Sequence, residues 1–361
     1  MMRFYKNSHA FYAGIDLHAR TLYLCVLDHA GNKLLHRELP CRVDELNLAL
    51  APYREGLVVC CETTFCWYWL ADFCHERDIT FILGHALFMK AIHGGKAKND
   101  RIDAEKIAAL LRGGVLPQAY VYPAGMRETR DLLRRRSSLV RQRSQAMVHI
   151  QLTNAQWLFP VDIGKRLQYA SKRVDIDKAF GDPSVQLSVA TDLACIDHFD
   201  EEIRKLELHL ERSAKVDDSQ AFFLLKTIPG IGKVLALTML YEIHAIERFP
   251  TVGNFISYCR LVKCAHTSAG KSYGTGGAKI GNAHLRWAFG EAAVLLIRES
   301  AEAKSFVDRM TKKHGKPKAI SILAAKIART VYHMLRRKQA FDAARFWNTL
   351  STRRKPTVKV S

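Results

Sequence analysis

The sequence predicts an α/β domain at the N-terminal end and a mostly helical region after it. The first prediction rests on residues 10–83, where short apolar or alternating runs typical of strands are interspersed with helical spacing. The second rests on residues 126–157, which contain neither glycine nor proline and repeat apolar side chains at helical spacing. With 361 residues, 48% of them hydrophobic, the chain is long enough for two or three domains.

The N-terminal elements follow an informative order. Three short strands come first, and the turn at residues 30–32 indicates an antiparallel meander. A helix then leads to the apolar run 57–61, which suits a strand covered on both faces. Helix and strand alternate afterwards, which is the order of an RNase H-like α/β domain. The predicted strands are 10–17, 21–28, 33–39, 57–61 and 80–83, and the predicted helices are 43–53, 65–75 and 101–111.

The remainder is predicted to be helical. A long helix at about 125–157 and an amphipathic stretch at 193–214 are expected to pair as an antiparallel coiled coil, whereas residues 161–183 show no clear pattern. A glycine-rich segment, 270–281, interrupts the last helical region. The predicted domains are therefore an RNase H-like domain at 1–124, a coiled-coil linker at 125–218, a helical domain at 219–346 and a basic, disordered tail at 347–361.

The distribution of charge indicates the kind of partner. The formal net charge is +20, and residues 221–361 hold 25 lysines and arginines against 7 acidic residues. Such a local excess attracts polyanions through counterion release, and nucleic acid is the commonest of them. A surface that served only solubility would mix both signs, so we expect a nucleic-acid-binding protein.

Other features of the composition concern the compartment. No apolar run is long enough to span a membrane, and the first residues lack the apolar stretch of a signal peptide. The nine cysteines are scattered without paired spacing, which favours neither a disulfide framework nor a zinc site. We expect a cytoplasmic, nucleoid-associated protein with no membrane partner.

Four acidic residues stand in unusual positions. Asp16 lies within the otherwise apolar first strand, and Glu62 follows the buried strand 57–61. Asp100 and Asp103 are three residues apart at the start of a helix, so they share one face. The first and fourth strands are neighbours in an RNase H-like sheet, which would place Asp16 beside Glu62 and both near that helix.

Converging carboxylates repel one another unless cations lie among them. Two Mg²⁺ ions bound by Asp16, Glu62, Asp100 and Asp103 would activate a nucleophile and stabilise a leaving oxygen in phosphoryl transfer. The alternative is that each carboxylate is a cap or turn residue, and Asp100 in particular suits the cap of the following helix. An acidic residue inside a strand core has no such explanation, so Asp16 is the strongest candidate.

These residues resemble the DEDD transposases of the insertion-sequence 110 family. The resemblance is carried by Gly-Ile-Asp at 14–16, Glu-Thr at 62–63 and Lys-x-Asp-x-x-Asp-Ala at 98–104. It continues through Ile-Pro-Gly-Ile-Gly at 228–232, His-Thr-Ser-Ala-Gly-Lys at 266–271 and Ile-Gly-Asn-Ala-His-Leu-Arg at 280–286. Each motif is weak by itself, but their order and spacing over roughly residues 12–337 are specific.

The resemblance implies a RuvC-like catalytic domain and a serine that acts with it. Ser268 falls on the serine motif, and the implied mechanism holds the cleaved DNA strand as a phosphoserine until exchange. A structured bridge RNA would select donor and target DNA by base pairing, and a site composed from two subunits implies a dimer or tetramer. Thr267 and Ser272 remain competitors for the nucleophile. The sequence departs from the family pattern at Phe65 and Ala269, where many members have glycine.

The remaining candidates are contacts to nucleic acid. Residues 229–233 fit a helix-hairpin-helix, whose backbone amides would bind a phosphate, although a plain helix turn has the same pattern. The arginine-rich helix would grip RNA, or would be a solvated face of the coiled coil. The proposed contacts are Arg134, Arg135, Arg136, Arg141, Gly230, Gly232, Lys233, Lys263, Lys271 and Arg286.

Together with the carboxylates and the basic charge, the resemblance implies an RNA-guided transposase or recombinase. Two other functions remain open. A nuclease of the Holliday-junction resolvase type would direct water with the same carboxylates and would not need the serine. A non-catalytic nucleic-acid-binding protein would keep the fold and the basic surface alone.

Overall fold

The computed structural model describes residues 3–92, 99–158, 163–262, 264–269, 271–276 and 280–348, with the backbone alone described at 91, 264–268 and 272–276. The chain divides into two units, Met1–Ala124 and Gly125–Ser361. Each unit has hydrophobic clusters of its own.

The first unit is built on a five-stranded sheet. The strands of the whole unit are β1 (Phe4–Tyr5), β2 (Phe11–Leu17), β3 (Thr21–Asp28), β4 (Lys33–Pro40), β5 (Leu57–Glu62), β6 (Thr80–Gly84) and β7 (Leu116–Pro117). Its helices are α1 (Val43–Leu50), which the 3-10 turn Ala51–Tyr53 extends, α2 (Tyr68–His75), α3 (Ala86–Ile92) and α4 (Asp100–Arg112). The sheet has the order β4-β3-β2-β5-β6, while β1 pairs with β7.

The predicted RNase H-like arrangement is confirmed. Strands β2, β3 and β4 form the antiparallel meander, and β5 lies parallel to β2 on the other side, followed by the parallel β6. The predicted start of the second helix at residue 65 is wrong, since α2 begins at Tyr68. The chain after β5 first turns back, with the Thr63 amide donating to the Gly84 carbonyl and the Thr64 amide to the Glu62 carbonyl.

The two faces of the sheet are covered by different helices. Odd-numbered residues of β2 and β5, such as Ile15 and Val59, belong to a cluster with α1 and α2. Even-numbered residues, such as Tyr12 and Cys60, belong to a cluster with α4. The apolar run in β5 is therefore buried on both sides, as the sequence predicted.

The second unit is mostly helical. Its elements are α5 (Met126–Gln156), α6 (Ile163–Leu167), α7 (Pro183–Asp217), α8 (Ser219–Lys226), α9 (Lys233–Ile243), α10 (Val252–Tyr258), β8 (Cys264–Ser268), β9 (Lys271–Gly276), α11 (Ala283–Glu299), α12 (Ala301–His314), α13 (Lys316–Arg337) and α14 (Ala343–Asn348). Short 3-10 turns lie at Ala170–Lys172, Asp177–Ala179 and Ile246–Arg248. Among the described residues, no helix combines the length and apolarity that a membrane crossing requires.

Helices α5 and α7 pack against each other in opposite directions. Arg136 pairs with Glu207 at 2.7 Å, and the later residues Arg143 and His149 pair with the earlier residues Asp200 and Asp192. Helix α7 begins ten residues before the predicted stretch. The Asp182 side chain accepts bonds from two backbone amides of its first turn, where Pro183 provides a fixed φ. The antiparallel pair is established, whereas its coiled-coil geometry stays a prediction.

The segment between α8 and α9 is a short turn that contains the Pro-Gly-Ile-Gly motif. Gly230 has a φ of +82°, and a Cβ built on it would lie 2.7 Å from the backbone nitrogen of Leu296 in α11. Glycine is therefore needed here for packing between helices. This requirement explains the glycine without any ligand, so the helix-hairpin-helix as a phosphate-binding element stays a prediction.

Candidate active site

The carboxyl ends of β2 and β5 bring two of the predicted residues to one edge of the sheet. The parallel pairing of these strands runs through Gly14 with Cys60 and Ile15 with Cys61, so Asp16 and Glu62 follow at the same level. Both are even-numbered and extend the rows of Tyr12 and Cys60, which face α4. Asp16 and Glu62 are each partly exposed at this edge.

Helix α4 begins above this edge. Its N-cap is Asn99, whose side chain accepts a hydrogen bond of 2.8 Å from the Ile102 amide. The alternative that Asp100 is the cap is therefore wrong: Asp100 is the first residue of the helix, and its side chain is 58% exposed. A carboxylate freed from capping is available for another contact, and in the first turn of a helix it is favoured by the helix dipole.

The close approach of α4 to the sheet depends on Gly14. A Cβ at this position would lie 2.3 Å from both the Ala104 carbonyl oxygen and the Ala108 amide nitrogen. Ala104 and Ala108 are one helical turn apart and fully buried, so a stripe of small side chains faces the strand. The Gly-Ile-Asp motif thus serves two purposes. The glycine allows α4 to pack closely against β2, and the aspartate two residues later faces the first turn of that helix.

The structure brings Asp16 and Asp100 together around His18. The His18 Nε2 atom lies 3.5 Å from Oδ2 of Asp16 and 3.4 Å from Oδ2 of Asp100. Among the described residues, these three place potential ligand atoms within 4.8 Å of one another. Glu62 and Asp103 lie outside that group.

His18 was not among the site residues predicted from the sequence. The signal that would have found it is the spacing Asp-x-His at the end of a strand. Side chains two residues apart in an extended chain point to the same face, so Asp16 and His18 were bound to be neighbours.

The electrostatics of the site are compatible with a bound cation. Burial raises the pKa of Asp16, the charges of Asp100 and Asp103 raise it further, and His18 opposes the rise. Asp103 is itself paired with Lys106, whose Nζ lies 3.3 Å from its Oδ1. The raised pKa shows that a negative charge on Asp16 is poorly compensated in the protein alone. Carboxylate oxygens and an imidazole nitrogen are suitable ligands for a divalent ion, so the residues fit a metal.

Phe65, where the chain departs from the family pattern, lies in the turn after Glu62. Its side chain is 81% exposed. Because the ring projects into solvent, it adds no bulk beneath the Glu62 backbone. The substitution therefore leaves the packing of the carboxylate edge unchanged.

Ser268 ends the first strand of a two-stranded hairpin in the second unit. Its backbone is paired with that of Lys271, and Thr267 is paired with Ser272. Ala269 in the connecting loop has a φ of +47°, which an L-residue adopts only at a cost. This conformation gives a physical reason why the family often has glycine there. Lys271 is exposed beside the loop, while Lys263 lies outside the described residues.

Among the predicted nucleic-acid contacts, two arginines of α5 form hydrogen bonds with acidic residues of the protein. The Nε of Arg134 donates to the fully buried Glu242 at 2.7 Å, and the Nε of Arg136 donates to Glu207 at 2.9 Å. Arg130 and the Asn282 amide also donate to Glu242.

Burial alone would raise the pKa of Glu242. The hydrogen bonds and charges of these partners outweigh burial and lower that pKa to about 2. Arg134 thus stabilises the ionised form of Glu242, while Arg136 pairs with Glu207 of α7.

Several of the other predicted contacts are exposed or partly exposed. Arg135 and Arg141 are exposed on α5, and Arg286 is exposed in the first turn of α11. Lys233 begins α9 and lies 3.4 Å from Glu211, while a Cβ at Gly232 would meet nothing within 4 Å. These residues could contact a nucleic acid without disturbing the core.

An RNase H-like domain with acidic residues gathered at the carboxyl ends of parallel strands defines a class of enzymes that transfer phosphoryl groups of nucleic acids with divalent metal. Two family models narrow this class. The model of DEDD transposases of IS110 elements matches residues 13–154, and the model described as Transposase IS116/IS110/IS902 family matches residues 223–308.

A curated relative agrees with these matches. Over 335 residues the chain is 23% identical to the "Transposase for insertion sequence element IS1111A" of Coxiella burnetii (strain RSA 493 / Nine Mile phase I), and the alignment covers 91% of this chain and 90% of that protein. The chain belongs to the IS110 family of transposases. It is a DNA transposase, and the DEDD class to which it belongs depends on a divalent metal.

Proposed function

We propose that this transposase cleaves and exchanges DNA strands through a phosphoserine intermediate, with Asp16, Glu62, Asp100 and Asp103 as the metal-binding carboxylates and Ser268 as the nucleophile. The observation that carries the proposal is the gathering of Asp16 and Asp100 at the edge of an RNase H-like sheet. The placement of Glu62 at the end of the adjacent parallel strand supports the same site.

The metal-binding carboxylates and Ser268 have different roles in the proposed reaction. Two Mg²⁺ ions, when bound, would supply positive charge for the attacking and leaving oxygens. The Ser268 hydroxyl loses its proton and forms a bond to phosphorus, and the bond to the leaving strand oxygen breaks as that oxygen gains a proton. A hydroxyl of the exchanging strand then attacks the phosphoserine and releases the serine. No external energy source is required, because the phosphoester bond is conserved throughout.

The basic second unit would hold the nucleic acids. Arg135, Arg141, Lys271 and Arg286 are exposed and would contact phosphates, with the turn at Gly230 and Gly232 as a further phosphate-binding element. We propose that a bridge RNA pairs with donor and target DNA, and that two or four copies of the chain complete the site in the cytoplasm. The helical pair α5 and α7, within the predicted linker 125–218, would then connect the catalytic domain with the serine-bearing domain at 219–346.

The test is detection of a covalent protein–DNA adduct on a denaturing gel. Protein is co-expressed with the RNA that flanks its element and incubated with Mg²⁺ and DNA that spans the element junction. Ser268→Ala is compared with Thr267→Val and Ser272→Ala, which alter the paired residues of the same hairpin. We expect the adduct to disappear in Ser268→Ala and in Asp16→Asn, and to persist in the two neighbouring variants.

Two other outcomes would favour different functions. Nicked DNA without an adduct, unaffected by Ser268→Ala but lost in Asp16→Asn, would indicate a metal-dependent nuclease of the resolvase type. DNA and RNA binding without cleavage, unchanged in Asp16→Asn, would indicate a binding protein that kept the transposase fold.

A further inference from the structure

His18 occupies a central position between two carboxylates that belong to different elements. Its Nε2 lies almost equally far from Oδ2 of Asp16, at the end of β2, and Oδ2 of Asp100, at the start of α4. The imidazole is half exposed, so it is accessible from solvent. The three potential ligand atoms lie within 4.8 Å of one another.

The distances are compatible with coordination of a shared ion. An N–H···O bond has its donor and acceptor about 2.9 Å apart, whereas the observed separations are 3.5 and 3.4 Å. Ligands about 2.1 Å from one metal ion lie roughly 3.0 Å apart at a right angle and roughly 3.4 Å apart at a tetrahedral angle. The observed separations therefore fall at the value expected for two ligands of one ion at a tetrahedral angle.

We infer that His18 is a nitrogen ligand of the catalytic metal site, and that this site consequently binds Mn²⁺ or a similar first-row ion more tightly than the Mg²⁺ of the proposed reaction. The inference rests on the proposed function, which assigns the carboxylates to metal binding. Imidazole is a good ligand for first-row transition ions, whereas Mg²⁺ prefers oxygen ligands and water. Carboxylate oxygens suit both Mg²⁺ and Mn²⁺, so the imidazole is the ligand that adds to the preference for Mn²⁺.

The arrangement has one competing explanation. A protonated His18 would place a positive charge between Asp16 and Asp100 and so replace a cation rather than bind one. In that state His18 would have to leave when a metal enters. The two explanations differ in whether a histidine nitrogen is bonded to the ion in the loaded protein.

Electron spin-echo envelope modulation of Mn²⁺ bound to the full chain tests this directly, because it detects a coordinated ¹⁴N. Wild type is compared with His18→Gln and with the control His75→Gln, which changes an exposed histidine at the end of α2 in the same unit. Asp16→Asn identifies ions bound elsewhere. Calorimetric titration with Mn²⁺ and with Mg²⁺ gives the selectivity, and circular dichroism confirms that each variant is folded.

We expect the ¹⁴N modulation in wild type and His75→Gln, and its loss in His18→Gln. The preference for Mn²⁺ over Mg²⁺ should fall on the order of tenfold in His18→Gln. Mn²⁺ binding that requires Asp16 but shows no ¹⁴N modulation in wild type would overturn the inference and leave the carboxylate site intact. If Asp16→Asn changes no binding of either ion, the carboxylate metal site of the proposed function fails as well.

Discussion

Replacement of Gly14 by alanine should move the acidic residues of α4 away from the acidic residues at the edge of the sheet. The new Cβ would lie 2.3 Å from the Ala104 carbonyl oxygen and from the Ala108 amide nitrogen, and 2.9 Å from the Ala108 Cα. All three atoms belong to the backbone of α4, so no side-chain rotation relieves the clash. Ordinary contacts of a Cβ begin near 3.4 Å. Helix α4 must therefore withdraw by about 1 Å or tilt about its far end.

The displacement has two consequences of different size. The overpacked core should lose about 1–3 kcal/mol of unfolding free energy, because the cluster between α4 and the sheet is otherwise closely packed. Asp100 and Asp103 move with the helix, whereas Asp16 and Glu62 stay on the sheet. A displacement of about 1 Å in a catalytic group costs roughly 100-fold in rate. The loss of activity should thus exceed what the loss of folded protein explains.

The assay combines strand cleavage, calorimetric titration with divalent metal and thermal denaturation of the same preparations. A matched control is Gly290→Ala in α11, where a Cβ would meet nothing within 4 Å. There the change should stabilise the helix by about 0.5–1 kcal/mol and leave metal affinity unaltered. Wild-type metal affinity and cleavage in Gly14→Ala, with the variant fully folded, would refute the argument that this glycine sets the position of α4.

Three further results are expected in the second unit. Glu242→Gln should destabilise the fold by about 3–5 kcal/mol in urea denaturation, because Arg130 and Arg134 would lose a buried charged partner. The control is Glu201→Gln, which changes an exposed ion pair with Lys205. Since the pKa of Glu242 falls from 4.5 to about 2 on folding, its ionised form stabilises the protein fully above pH 4.5, and about 3 kcal/mol is lost as the pH drops toward 2. An unfolding free energy with the same pH slope in wild type and Glu242→Gln would contradict this assignment. Ala269→Gly should remove the cost of a positive φ, about 1 kcal/mol, and slow hydrogen exchange in the β8–β9 hairpin about fivefold; faster exchange would argue against the strained loop.

Much of the first unit could be predicted because its signals are local. Strand β3 was predicted with its observed bounds, and the apolar run 57–61 of β5 was correctly assigned to a position covered on both faces. Asp16 stood out for the same reason, since a charge in an apolar strand contradicts its immediate neighbours. The adjacency of β2 and β5 followed from the order of elements.

The partner that each acidic residue contacts could not be predicted in this way. Asp100 and Asp103 share a motif and a helix face, yet Asp100 faces His18 while Asp103 pairs with Lys106. The cap at Asn99 and the depth of the contact at Gly14 decide this difference. Both are properties of how α4 is seated on the sheet.

The contacts of the arginines in α5 could not be predicted for the same reason. Their sequence pattern fits a basic surface equally well at every position, but Arg134 meets Glu242, which is 108 residues away in the chain. The sequence by itself determined the fold of the first unit, the family and the candidate carboxylates, because short-range periodicity and motif spacing record them. Only the tertiary structure decided which charges face inward and that Asp100 approaches His18, because those contacts link elements whose separation in the chain carries no periodic signal.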